Sequence, residues 1–235
     1  MSAPHLLAPS VDGDTVKITG DDAHHAVRVL RLREGERVTV SDGEGNVVNG
    51  VVIGASKNLT VEVLGRTKVE RAVPQLRVAQ AIPKGPKFDQ IVKELTEVGV
   101  DEIVPLRTLR SIARWDGADR VERLRAIARG AAKQSHRAWL PTVSDPLVIG
   151  DVISDGLAIV LHEEAHVRLS TVLPGEPPSK ITLFIGPEGG FADEEIDVLT
   201  AGGVVAASLG PLILRTEAAG LVAAALVRGR YGLIG

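Results

Sequence analysis

The chain has 235 residues, 44% hydrophobic and 24% charged, with a net charge of −3 and no cysteine. That length can bury a substantial core in one large or two small domains. The lack of thiols excludes disulfides, thiolate zinc sites and cysteine nucleophiles, and no apolar run approaches the roughly 18 residues of a membrane span. The opening has no basic region followed by an apolar stretch, so we expect no secretory signal and a cytoplasmic protein. Charge is spread unevenly. Residues 1–73 carry 9 basic and 10 acidic side chains, residues 77–140 carry 13 and 8, and residues 141–235 carry 5 and 12. A positive middle and a negative end fit one surface that meets a phosphate backbone and another that holds a small ligand.

In chain order, Thr15–Ile18, Arg37–Ser41, Val47–Ile53 and Leu59–Leu64 are short β-branched runs separated by turn signals, and Asp42-Gly-Glu-Gly45 suits a hairpin turn. They predict a small β-barrel. Between the first two runs, Asp21 or Asp22 could cap a helix through Arg28, with Ala26, Val29 and Leu30 facing inward. Val69–Pro74 is the expected linker, dividing a domain at 1–71 from one at 74–235. Beyond it, strands at Leu76–Ile82, Glu102–Leu106, Leu157–Leu161, Ile181–Ile185 and Val204–Leu209 alternate with helices, the pattern of a mainly parallel sheet covered by helices. Phe88–Val98 reads as a helix stopped by Gly99, with Phe88, Ile91, Val92, Leu95 and Val98 on its apolar face. A second helix begins near Asp116. It sets Arg125, Arg129 and Lys133 in a basic stripe opposite Val121, Leu124, Ala128 and Ala131, with Arg120, Arg123 and Arg137 nearby. Trp115 and Trp139 flank it as candidates for base stacking, with packing the preferred reading for either. The last helix, Thr216–Arg230, is so rich in Ala, Leu and Val that it must be buried, with a subunit interface as one place for it.

Two strand ends stand out. Ile181-Thr-Leu-Phe-Ile-Gly-Pro-Glu-Gly-Gly-Phe191 and Leu209-Gly-Pro-Leu-Ile-Leu-Arg-Thr-Glu217 each run from an apolar strand into glycine, proline and a carboxylate. In open α/β sheets, ligands bind outside the carboxyl ends of strands. The first loop matches neither nucleotide fingerprint, and Asp193, Glu194 and Glu195 in the first turn of the helix after it would repel a phosphate. A neutral or cationic ligand fits better, and S-adenosylmethionine, with sulfonium and ammonium charges, is such a ligand. His162-Glu-Glu-Ala-His166 spells the letters of a zinc-hydrolase motif, a reading that needs both histidines on one helical face and a third ligand. Here the motif directly follows a strand and precedes Ser170, Pro174 and Gly175. A strand end and loop beside the cofactor is the preferred reading, with a zinc hydrolase or a non-catalytic RNA-binding module as alternatives.

Gly186-Pro-Glu-Gly-Gly-Phe191 and Leu209–Ala218 together resemble the paired signatures of the RsmE family, the 16S rRNA uridine-N3 methyltransferases of the SPOUT superfamily. Lys87–Pro105 is similar to that family's first helix and second strand, Gln134-Ser-His-Arg137 to its basic helix end, and His24–Arg33 with Asp42–Gly45 to its RNA-binding barrel. Three positions depart from the pattern: Leu212 where many relatives carry a basic residue, Lys133 where an acid is common, and His136 where glycine is usual.

The resemblance implies an α/β protein with an N-terminal PUA-like β-barrel and a C-terminal SPOUT domain closed by a trefoil knot. It also implies a homodimer without metal, acting on 16S rRNA of the small ribosomal subunit. The cofactor, S-adenosyl-L-methionine, is expected at Leu161, His162, Ile185, Gly186, Glu188, Gly189, Gly190, Leu209, Gly210, Leu214 and Thr216, with the partner subunit completing the site. Methylation of uracil N3 requires loss of the imide proton and stabilisation of charge on the ring oxygens. Arg215 is expected to face the uracil, Glu217 to orient it or accept the proton, and Glu188 to hold its loop or the cofactor. Arg28, Arg31, Arg33, Arg125, Arg129, Lys133 and Arg137 are the expected RNA contacts, chiefly to phosphates.

Overall fold

A computed structural model describes residues 3–111, 118–152 and 155–234. Its chain forms two compact units, Met1–Arg71 with Ala132–Leu140, and Ala72–Ala131 with Pro141–Gly235. The short stretch that joins the first unit contains the end of the basic helix, an association that linear sequence does not announce.

In the first unit, β1 (His5–Leu7), β2 (Thr15–Ile18), β3 (Arg37–Ser41), β4 (Asn46–Ala55) and β5 (Leu59–Lys68) form a sheet in the order β1-β3-β4-β5-β2. Alternation places Val16, Ile18, Val38, Val40, Val48, Val52, Leu59 and Val61 in one core. The edge strand β1 pairs in parallel with β3 and lies outside the runs expected from the sequence. Three residues are too few to show a period. Between β2 and β3 the helix differs from expectation. It begins as α1 (Gly20–His24) and widens into a π turn, His25–Val29. The cap is Thr19 and makes no side-chain bond, while Asp21 and Asp22 lie in the first turn. Ala23 and Ala26 are buried, but Val29 is 61% and Leu30 42% exposed. The wider turn advances fewer degrees per residue, so it rotates these two side chains off the inward face.

The second unit continues with β6 (Gln75–Ala81), α2 (Lys87–Glu97), β7 (Glu102–Arg107), α3 (Ala118–Gln134), β8 (Thr142–Val143), β9 (Leu147–Val148), β10 (Leu157–Leu161), α4 (Leu169–Val172), β11 (Lys180–Ile185), α5 (Asp193–Ala201), β12 (Val205–Ala207) and α6 (Thr216–Arg230). Asp116 and Trp115 lie outside the described residues, so the basic helix is described from Ala118 onward. The sheet order is β12-β10-β11-β6-β7-β8, with β9 also on β7. Every pairing in it is parallel. Both faces are covered, which explains strands that are almost continuously apolar. One core cluster joins Leu76, Val78, Phe88, Ile91, Leu95, Leu183, Ala223 and Val227, and another joins Ala79, Val104, Val160, Phe184 and Phe191 on the opposite face. No helix among the described residues is long and apolar enough to cross a membrane.

Register aligns the strand ends that matter. Leu161 pairs with both Ile185 and Ala207, and Ile185 pairs with Gln80, so β10, β11, β12 and β6 finish along one edge. The chain leaves β6 towards β7 and leaves β11 towards β12, in opposite directions across the sheet. Divergence of this kind opens a crevice at the carboxyl ends of the pair.

Candidate functional site

That crevice is a cleft of about 370 Å³ lined by Leu161 and Glu163 after β10, Ile185–Glu188, Gly190 and Phe191 after β11, Ile213–Glu217 and Ala219 at the start of α6, and Lys87. A smaller hollow of about 170 Å³ shares Leu161, Glu163, Ile213, Leu214 and Ala219 and adds His162, Leu209 and Gly210. Three loops thus converge on these two hollows. Gly189 is absent from both linings.

Each loop is held by its own device. After β10, the His162 N–H donates to the Ala207 carbonyl at 3.0 Å, and the Ala165 N–H to the His162 carbonyl at 3.2 Å. His162–His166 is therefore turn rather than helix, which removes the one-faced geometry that the zinc reading requires. Gly210 has φ +128° with open space around it, so conformation rather than room demands glycine there. The Arg215 backbone is extended and its carbonyl accepts the N–H groups of Ala218 and Ala219, which starts α6.

The turn after β11 is clamped from two sides. Arg110 Nη1 donates to the carbonyls of Gly189 at 3.0 Å and Phe191 at 2.9 Å. Glu195 is 7% exposed. Its Oε1 accepts the Leu109 N–H at 2.8 Å and its Oε2 the Ala192 N–H at 2.8 Å. Of the three acids at the start of α5, Glu195 thus caps the helix and ties it to the end of β7. Glu188 accepts the Lys84 N–H through Oε1 at 3.1 Å, holding its loop to the segment after β6.

A buried chain of polar atoms joins the strand edge to α6. Gln80 Nε2 donates to Thr216 Oγ1 at 3.0 Å, and Thr216 Oγ1 donates to the Gly186 carbonyl at 2.5 Å. Gln80 is fully buried and its Oε1 has no partner. Gly220 packs against it so closely that a Cβ there would lie 2.5 Å from Oε1. A polar residue near the carboxyl end of an apolar strand is the signal that sequence offers for Gln80. Arg110 has none, because its partners are backbone atoms distant in sequence, and for Glu195 the acid in the first turn of α5 signals the cap at Ala192 but not the bond to Leu109.

Glu217 Oε1 accepts from Lys87 Nζ at 3.0 Å, whereas Oε2 is shielded from water and has no partner. Its own backbone N–H, then Lys87 and Arg215, hold this carboxyl below its ordinary pKa. The group is ionised at neutral pH. Arg215 lines the same cleft, exposed and without an ion pair among the described residues.

The expected RNA residues divide. Arg28, Arg31 and Arg33 are exposed. Arg28 borders a hollow of about 640 Å³ with Gly20, His24, Val27, Ser56, Lys57 and Asn58. The stripe on α3 does lie opposite buried Val121, Leu124, Ala128 and Ala131, yet its cations hold protein partners. Arg125 Nε donates to the Val143 carbonyl and its Nη1 pairs with Glu122. Lys133 pairs with Asp22 at 2.6 Å, and Arg137 Nε donates to the Trp139 carbonyl. Arg129 is half-buried. Trp139 packs rather than waits for a base. Its Nε1 donates to the Val69 carbonyl and the Arg71 guanidinium lies 4.1 Å from its ring centroid.

Comparison with known proteins agrees with this geometry. The family model for an RNA methyltransferase domain matches residues 70–228, and that for an RNA methyltransferase PUA domain matches residues 18–64. The chain is 38% identical to ribosomal RNA small subunit methyltransferase E of Mycobacterium bovis, over 90% of this chain and 85% of that one. It is 30% identical to the protein of the same name in Bacillus subtilis, over 90% and 89%. The crystal structure of ribosomal RNA small subunit methyltransferase E from Neisseria gonorrhoeae bound to S-adenosyl methionine superposes with a TM-score of 0.87 at 27% identity, covering 97% of this chain and 98% of that one. With a PUA domain at its amino end and a SPOUT methyltransferase domain at its carboxyl end, the chain belongs to the ribosomal RNA small subunit methyltransferase E family.

Proposed function

We propose that this cleft transfers a methyl group from S-adenosylmethionine to N3 of a uridine in 16S rRNA of the small ribosomal subunit. The observation that carries the reading is the convergence, at one strand edge, of the loop after β10 with two glycine-bearing loops, the second of which leads into Arg215 and Glu217. The residues fit the methyl donor. Leu161, Ile185, Leu214 and Ala219 supply apolar wall for an adenine, and three carboxylates, Glu163, Glu188 and Glu217, face two cations, Lys87 and Arg215, an excess of negative charge suited to a sulfonium. We assign its contacts to Leu161, His162, Ile185, Gly186, Gly190, Leu209, Gly210, Leu214 and Thr216, with Glu188 and the Gly189 carbonyl holding the loop. The donor supplies an electrophilic methyl whose C–S bond pair stays on sulfur. Such a transfer needs no metal, and none is assigned.

The chain's own residues handle the proton and the charge. Glu217, ionised and lining the cleft, accepts the N3–H hydrogen bond and then the proton as N3 gains the methyl group. Arg215 offsets the charge that grows on the ring oxygens. Arg28, Arg31 and Arg33 meet phosphates, and the intramolecular pairs of Arg125, Lys133 and Arg137 make these residues secondary contacts, with Arg129 beside them. A second copy of the chain, covering Leu212 at 78% and Ile213 at 85% exposed, completes the site as a homodimer in the cytoplasm. Glu217→Gln should lower turnover by about 10²-fold or more while leaving S-adenosylhomocysteine affinity unchanged by calorimetry. Equal loss of both would refute the assigned role.

A further inference from the structure

We infer that Lys87 is a specificity-determining contact, reading a carbonyl oxygen on the imide edge of the uracil alongside Arg215 and Glu217. The inference rests on Glu217 facing N3–H. Uracil presents acceptor, donor and acceptor along O2, N3–H and O4, whereas cytosine presents an acceptor at N3 and a donor at N4. A carboxylate at the centre flanked by two cations complements the first pattern and opposes the second. The cleft holds such a set from separate elements: Lys87 on the first turn of α2, and Arg215 and Glu217 at the start of α6.

Lys87 has capacity for this role. Its ammonium carries three donors and spends one on Glu217 Oε1 at 3.0 Å, and its side chain, 44% exposed, lines the cleft. The same bond fixes the Glu217 carboxylate at the wall of the cleft. As N3 forms its bond to the methyl carbon, the C–S pair departs with sulfur and the N3 proton goes to Glu217. The charge left on the imide during transfer falls on O2 and O4, where a second cation is worth most.

The test compares purified enzyme and variants on unmodified small subunits carrying uridine or cytidine at the target position. Lys87→Met should lower kcat by about 10²-fold with S-adenosylhomocysteine affinity unchanged, and should erase most of the preference for binding uridine-bearing over cytidine-bearing particles. Lys87→Arg should recover much of both. Wild-type kcat and discrimination in Lys87→Met, alongside an inactive Glu217→Gln, would overturn the role of Lys87 alone. Parallel loss of kcat and S-adenosylhomocysteine affinity without rescue by arginine would make Lys87 merely structural. Full turnover by Glu217→Gln would remove the reading on which the inference stands.

Discussion

In the barrel unit, Arg28, Arg31 and Arg33 stand in solvent with no ion pair among the described residues, whereas in the α/β unit Lys87, Arg110, Glu188 and Glu195 each hold a specific partner. The two regions use charge differently. A surface that meets phosphates gains from solvated cations, whose contacts orient RNA and release counterions without fixed geometry. A reacting centre gains from groups already bonded in place, as Lys87 and Glu217 are, because less reorganisation is then needed when charge develops. The irregular π turn that carries Arg28 suits the first task, and the aligned ends of four parallel strands suit the second.

This contrast can be broken by experiment. Phe184→Ala, in the core beneath the aligned strand ends, should cost about 3–5 kcal/mol. Thermal denaturation should show it, together with loss of S-adenosylhomocysteine binding. Gly220→Ala forces a Cβ to within 2.5 Å of Gln80 Oε1, and because Gln80 is buried and bonded to Thr216 it cannot swing away. A loss of about 1–3 kcal/mol is expected, with weakened cofactor binding. If affinity survives, the chain from Gln80 through Thr216 to Gly186 does not position the loop. Replacing Arg28, Arg31 and Arg33 by alanine should leave cofactor affinity intact and reduce the salt slope of RNA binding by about 1 for each phosphate left unneutralised. An unchanged slope would move the RNA surface elsewhere.

The smallest effect concerns His5. Its Nδ1 lies 2.8 Å from Thr39 Oγ1, its Nε2 3.2 Å from Ser41 Oγ, and its ring centroid 5.3 Å from that of His136. Burial, then His136, lowers its pKa below the ordinary 6.5. The unfolded chain therefore binds the proton more readily than the folded one, so this group's contribution is complete above pH 6.5 and declines as pH falls below that value. His5→Gln should flatten the dependence of melting temperature on pH in that window. A dependence that persists would assign it to another group.

Much of this is legible in the sequence, for physical reasons. β2, β3, β10 and α6 occupy the spans expected from them, because β-branched alternation, a buried parallel run and an alanine-rich helix each impose their own period. The two glycine-proline loops are legible as a site because strand ends in α/β sheets are where ligands go. His136 departs from the family's glycine and adopts φ +57°, a conformation glycine reaches without strain. The sequence exposes the substitution, and the backbone supplies its meaning. Periodicity misplaces Val29 and Leu30 because a helical wheel assumes 3.6 residues per turn and the chain widens there.

Local pattern by itself determined the longer strands, most helices and the glycine-proline loops at the strand ends, since those depend on neighbours within a few residues. Tertiary structure alone decided that Gln80 meets Thr216, that Arg110 holds the Gly189 carbonyl, and that Lys87 pairs with Glu217. Those partners lie 136, 79 and 130 residues apart. No periodicity spans such separations. Only the register of a parallel sheet, which brings distant strand ends to one edge, selects them.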